Sequence, residues 1–323
     1  MTWRQVSGLL LAAIVSTVAP LAQNSQDAQP VFKSTTDVVV LHVNVFDRRS
    51  DAVPSLPESA FHVFEDGKRQ TITYFGGAEV PVAVGLILDN SGSMIARHQM
   101  VLTGGEAFSR TVRPEDELFT IHFNEHVQFG LPDTIPFTSR QSLLHAALAR
   151  YRPAGKTALY DAVIAGLEHV ERAVNQKHVL VVLSDGEDNA SRFSEEEMVA
   201  RARASDAIVY TVSNANRRIG LPGDPGVLRK LADVTGGVAY FPGTDEKVVE
   251  SLDEVAGNIR RGYTIGYVSS NPTARDGTFH RVSVMVRVPG RGDLTVRTRD
   301  GYAVPPRTTL DDVATPPSPS AEP

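Results

Sequence analysis

The chain has no cysteine. Disulfides, thiolate metal sites, cysteine nucleophiles and an acylated lipoprotein cysteine are all excluded. It also lacks any surplus of positive charge, with a formal net charge of -6 over 323 residues. No global basic field draws it to nucleic acid or to anionic lipid. Past residue 22, no stretch is long and apolar enough to cross a bilayer. No internal repeat is visible. What remains is ordinary: 41% hydrophobic and 22% charged residues, the composition of a soluble globular protein with room for more than one domain.

The first residues, "MTWRQVSGLLLAAIVSTVAPLAQ", place Arg4 before an apolar run from Val6 to Ala19. That run is short for a membrane span and suits a signal-peptide core. Residues 1–22 read as a secretory signal with cleavage near Ala22, although Pro20 makes the site untidy; the alternative is an uncleaved anchor. The mature chain is therefore expected to be exported, periplasmic or secreted, without a membrane span.

Residues 31–77 read as an N-terminal β segment. Its clearest feature is "FHVFEDGKRQTITYF", two β-type runs around Asp66-Gly67, a pair suited to a tight hairpin turn. From residue 80 to 260, apolar runs alternate with helical patterns. "VAVGLILD" and "HVLVVLSD" read as strands buried on both faces, and each ends in a carboxylate. Ala162, Val163, Gly166, Leu167 and Val170 form one helical stripe. Ser194 followed by Glu197 is a capping-box pattern. The alternation predicts an α/β domain of Rossmann-like type, a mostly parallel sheet with helices on both faces. Residues 261–304 return to β, with strand candidates in "YTIGYVSS", "HRVSVMVRVP" and "LTVRTRDGY". The two flanking β segments are expected to pack as one small module, because short strands need a partner and chain ends often lie close together. Residues 305–323 are proline-rich and polar and are expected to be disordered.

Chemistry concentrates where the two buried strands end. Ligands bind at the carboxyl ends of strands in an open parallel sheet. Asp89 and Asp185 both reach that edge. Ser91 and Ser93 follow Asp89 at alternate positions, and Thr157 precedes a helix in "PAGKTALYDAV". Two carboxylates and three hydroxyls, without thiolate or imidazole, suit a hard cation such as magnesium. Neutral hydroxyls leave the ion a residual positive charge, which favours one further oxygen from another molecule.

Asp89, Ser91, Ser93, Thr157 and Asp185 together resemble the metal-ion-dependent adhesion site of von Willebrand factor A domains, over roughly residues 80–260. "GKTALYDAV" and "LSDGEDN" resemble bacterial members. The flanks "VVVLHVNVFD", "FHVFEDGKRQTITYF" and "YTIGYV…HRVSVMVRV…TRDGY" resemble a narrower bacterial subgroup, frequent in acidobacteria. The resemblance implies that Asp89 and Asp185 bind the ion directly or through water. It implies that Ser91 and Ser93 coordinate through their hydroxyls and that Thr157 joins in a ligand-bound state. It implies Mg2+, with Mn2+ or Ca2+ as alternatives, and a protein partner whose Asp or Glu completes the shell. Family members can switch state by moving the last helix, here about residues 244–260.

The expected function is metal-dependent protein binding, not catalysis. One alternative is a periplasmic scaffold with a silent metal site. Another is a magnesium-dependent hydrolase with Asp89 as nucleophile. The sequence holds neither GxxxxGK[ST] nor Gly-x-Ser-x-Gly, and it shows no evident general base. Lys156 is the one candidate phosphate clamp. Glu187 and Asp188 read as solvated loop acids. His122 and His126 read as packing or surface residues, as does His98 near the rim. Arg291-Gly292-Asp293 reads as a hairpin turn, and Arg217-Arg218 as a solvated pair.

Overall fold

The computed structural model describes residues 38–77, 80–213, 223–271 and 278–303. The chain divides into two units, Met1–Thr35 and Thr36–Pro323, and every described residue lies in the second. The expected signal segment, Arg217-Arg218 and the tail from residue 305 lie outside the described residues.

The chain enters on strand β1 (Val38–Phe46), followed by β2 (Phe61–Glu65) and β3 (Lys68–Gln70). The last two form the expected hairpin, with Glu65 opposite Lys68. Asp66 and Gly67 take φ values of 48° and 80°, the paired positive angles that this two-residue turn requires. The second β-type run does not stay in that sheet. It breaks after Gln70, and β4 (Ile72–Gly76) joins a different sheet.

The middle of the chain runs β5 (Val82–Asp89), α1 (His98–Ser109), β6 (Glu117–Phe123), β7 (Val127–Phe129), α2 (Gln141–Leu148) and α3 (Leu159–Val170). It continues with β8 (Lys177–Ser184), α4 (Glu195–Ala204), β9 (Ile208–Ser213), α5 (Pro225–Thr235), β10 (Ala239–Tyr240) and α6 (Asp245–Arg261). These strands make one sheet in the order β10-β9-β8-β5-β6-β7, parallel except for β7. Every residue of β5 and β8 is buried, which explains their unbroken apolar runs. Ile87, Leu180 and Val182 pack toward Val163 and Leu167 of α3. Leu86, Leu88, Val181 and Leu183 pack on the opposite face with Val101 of α1 and Leu252 of α6. The Ser194 capping box forms as its sequence predicts.

Gly85 marks how tightly the central strands fit. A Cβ there would lie 2.3 Å from Phe119 Cζ and 2.8 Å from Leu180 Cδ2. Gly85→Ala should therefore cost about 1–3 kcal/mol through overpacking. Urea unfolding should show a lower midpoint with an unchanged slope.

After α6 the chain passes through Gly262 into β11 (Tyr263–Val268), then β12 (Phe279–Val286), β13 (Thr295–Arg297) and β14 (Gly301–Ala303). The flanking segments pair with each other. One sheet has the order β13-β1-β11-β4 and the other β14-β12-β2-β3. Leu41, Val43, Phe61, Val63, Ile265 and Tyr267 form the core between them. Asn44 Nδ2 donates to Tyr210 Oη of β9 at 2.8 Å, tying this module to the central sheet.

Two expectations for the C-terminal strands need correction. "LTVRTRDGY" splits into β13 and β14, which belong to different sheets. The stretch around Arg291-Gly292-Asp293 does follow a turn, with Arg291 N donating to Val288 O, but it closes no hairpin: β13 pairs with β1 instead of folding back onto β12. Asp293 instead meets Arg48, just beyond β1, at 2.9 Å.

Candidate metal centre

The sheet order sets where a site can form. β5 sends its next strand, β6, to one side, whereas β8 lies on the other. The loops after β5 and β8 therefore diverge at the carboxyl ends of the strands, the usual ligand position in such sheets. Leu88 stands opposite Leu183, so Asp89 and Ser184 arrive at the same level.

Four of the five candidate ligands are linked by close oxygen contacts between the loops after β5 and β8. Ser91 donates to Asp89 Oδ1 twice, from its amide at 2.9 Å and its hydroxyl at 2.5 Å. Ser91 Oγ and Ser93 Oγ lie 3.1 Å apart. Ser93 Oγ donates to Asp185 Oδ2 at 3.2 Å, which closes the path between the two strands.

Thr157 is buried in the neighbouring loop. Its amide donates to Asn189 Oδ1 at 2.9 Å, and its carbonyl accepts from the amides of Asn189 and Ala190. Gly92 N donates to Gly155 O at 3.0 Å, so the first and second loops are also pinned together. Gly186 turns the third loop with φ 89°, and a Cβ there would lie 2.1 Å from the Asp224 carbonyl.

Three residues matter here that the sequence did not announce. Ser184 Oγ donates to Asp89 Oδ2 at 2.8 Å and accepts from Gly186 N at 3.1 Å. Asn189 couples Thr157 to the Asp185 loop. Glu125 Oε2 accepts from Lys156 N at 2.8 Å. Lys156 and Glu187 are exposed. Asp188 accepts from Tyr160 N and Ser191 Oγ, so it holds the start of α3 and its own loop. His122 is buried and its Nε2 meets Ala147 O at 2.9 Å, whereas His126 is exposed.

The electrostatics favour a cation. Burial pushes the Asp89 carboxyl up to about 6, against the Ser91 hydrogen bonds, and the Asp185 carboxylate adds to the rise. None of the ion pairs among the described residues involves Asp89 or Asp185. A buried carboxylate beside a second one, with no basic partner, is costly unless a positive ion neutralises it. The donor set holds only oxygen, which fits a hard divalent cation.

The model of the von Willebrand factor type A domain family matches residues 84–255, more than half of the chain. The chain belongs to this family. The α/β domain is thus a von Willebrand factor A domain, and the paired β sheets flank it. Among solved structures, a von Willebrand factor type A protein from Catenulispora acidiphila is 13% identical, with a TM-score of 0.50 over 86% of this chain and 76% of that one. The von Willebrand factor domain of the type V pili tip protein Mfa5 from Porphyromonas gingivalis is 13% identical, with a TM-score of 0.46 over 56% and 95%. Proximal thread matrix protein 1 from the mussel byssus, whose own adhesion motif was solved with zinc, is 14% identical, with a TM-score of 0.49 over 60% and 49%. At these identities the likeness concerns the fold. A comparison with curated proteins finds no match.

Proposed function

We propose that this is an exported, non-catalytic binding protein whose von Willebrand factor A domain captures a partner's Asp or Glu through a magnesium ion. Asp89, Ser91, Ser93, Thr157 and Asp185 form its metal-ion-dependent adhesion site, and the flanking strands fit the acidobacterial subgroup. The observation that carries this reading is the run of close oxygen contacts from Asp89 through Ser91 and Ser93 to Asp185. It gathers oxygen donors from two strands around carboxylates that lack a basic partner.

The ion would supply a Lewis-acidic position for a carboxylate oxygen. The protein's own task is to hold the donors. Ser91 and Ser184 fix both oxygens of Asp89, and Glu187 N fixes Asp185 Oδ1 at 3.0 Å.

If a partner carboxylate completes the shell, acetate and magnesium should bind cooperatively. Each should tighten the other by the same factor, because binding couplings are reciprocal. Calorimetry with and without acetate measures this, and independent binding of the two would refute the capture mechanism. Ser184→Ala should weaken magnesium binding by about 10–100-fold, the usual effect of losing a group that orients a ligand. The same titration on the variant reads this loss.

A further inference from the structure

The β module carries a strand edge whose neighbouring clefts share no lining residue with the metal centre. Val282 N donates to Asp300 O beside β14, while Arg287 N donates to Ala60 O on the β2 side. Amides alternate between the two edges of a strand. Val284 and Val286 therefore direct their amides to the same edge as Val282. β14 has ended there, since its last partner on β12 is Arg281. Among the described residues, no backbone group bonds the Val284 or Val286 amide on that edge. An open strand edge is a template for pairing with another chain.

Val286 of that edge also lines a cleft of about 730 Å³, together with Arg287, Val288, Gly292, Asp293 and Leu294, and with Pro57, Ser59 and Ala60 from beside β2. A smaller cleft of about 370 Å³ adjoins it through the shared residues 291–294 and adds Asp47, Arg48 and Arg49. Four arginines thus line the combined space, Arg48, Arg49, Arg287 and Arg291, against two carboxylates. One of those, Asp293, is paired with Arg48 at the surface. The other, Asp47, accepts the amides of Arg49 and Asp51 and so shapes its own turn. This local positive surplus stands out in a chain of net charge -6.

We infer that the cleft takes an extended acidic segment of a partner protein, added as a strand to the open edge of β12. The edge supplies backbone hydrogen bonds, Met285 and Leu294 supply apolar contact, and the arginines meet alternate carboxylates. Asp293 is an exposed, replaceable partner for Arg48, so a ligand carboxylate can take its place.

The test uses the purified chain and a fluorescent synthetic peptide that alternates glutamate and valine, read by anisotropy. Saturable binding is expected, and substituting lysine for glutamate in the peptide should abolish it. The double variant Arg287→Glu, Arg291→Glu changes exposed side chains only and should bind about tenfold more weakly or worse. N-methylating the peptide at one set of alternate amides should abolish binding, and at the other set should spare it. A chelator should leave the affinity unchanged, which separates this surface from the metal centre. Absence of saturable binding would overturn the inference. Binding that ignores N-methylation would also overturn it, because the surface would then be a plain anion patch.

Discussion

Asp89→Ala should abolish saturable magnesium binding and, with it, capture of an acidic partner, while the fold persists. Asp89 accepts three hydrogen bonds, from Ser91 N, Ser91 Oγ and Ser184 Oγ. Removing it deletes a charged ligand and releases the groups that surround it. The loss should exceed the roughly 10–100-fold that follows from losing an orienting neighbour. The apo fold should tolerate the change because the site is strained electrostatically. Burial raises the carboxyl to about 6. The folded state therefore binds this proton more tightly than the unfolded state does. In the apo protein, stability from this group falls as pH rises from about 4 through 6. Magnesium competes with the same proton, so its affinity should fall as pH drops below about 6. Magnesium should also protect the wild type against heat, by about 2.7 kcal/mol at a hundredfold excess over Kd. Asp89→Ala should remove that protection.

Glu65→Ala should give the largest loss of stability, about 2–5 kcal/mol, and a melting temperature lower by roughly 5–15 °C. Glu65 is buried where both β sheets of the module meet. Its Oε2 accepts from Tyr267 Oη and Tyr302 Oη, each at 2.8 Å, and its Oε1 accepts from Ser269 Oγ at 2.5 Å. One carboxylate thus ties β2 to β11, to the residue after it and to β14. Burial, followed by the hydrogen bond to Glu65, pushes both phenols above their ordinary range. Alanine would leave three hydroxyls without their acceptor. Glu65→Gln keeps an acceptor oxygen and should lose less, and thermal unfolding of the two variants separates the cases. Glu65, Asp66 and His280 also bring ligand atoms within 4.8 Å of one another. These groups already hydrogen-bond within the chain: His280 Nδ1 meets Asp66 Oδ2 at 2.8 Å, and Nε2 meets Thr278 Oγ1 at 3.0 Å.

The parallel sheet was legible because its central strands are buried on both faces and therefore uninterrupted by polar residues. Asp89 and Asp185 were legible because each breaks such a run at the edge where ligands bind. The Asp66-Gly67 turn was legible from backbone chemistry alone. Ser184 was not. It reads as the last residue of a strand, and its contact with Asp89 exists only once β5 and β8 pair in register. The switch between β3 and β4 was hidden for a similar reason. Both run in extended conformation, and only pairing with β2 or with β11 distinguishes them. The fate of β13 depends on β1, more than two hundred residues earlier in the chain. Local pattern carries conformation, whereas pairing partners are set by long-range burial.

Calorimetric titration of magnesium into the purified chain tests the central claim most directly. Saturable binding at a single site, strengthened by acetate and lost in Asp89→Ala, is expected. Heats that never saturate, with acetate present and at neutral pH, would contradict it and leave the domain as a scaffold with a silent site.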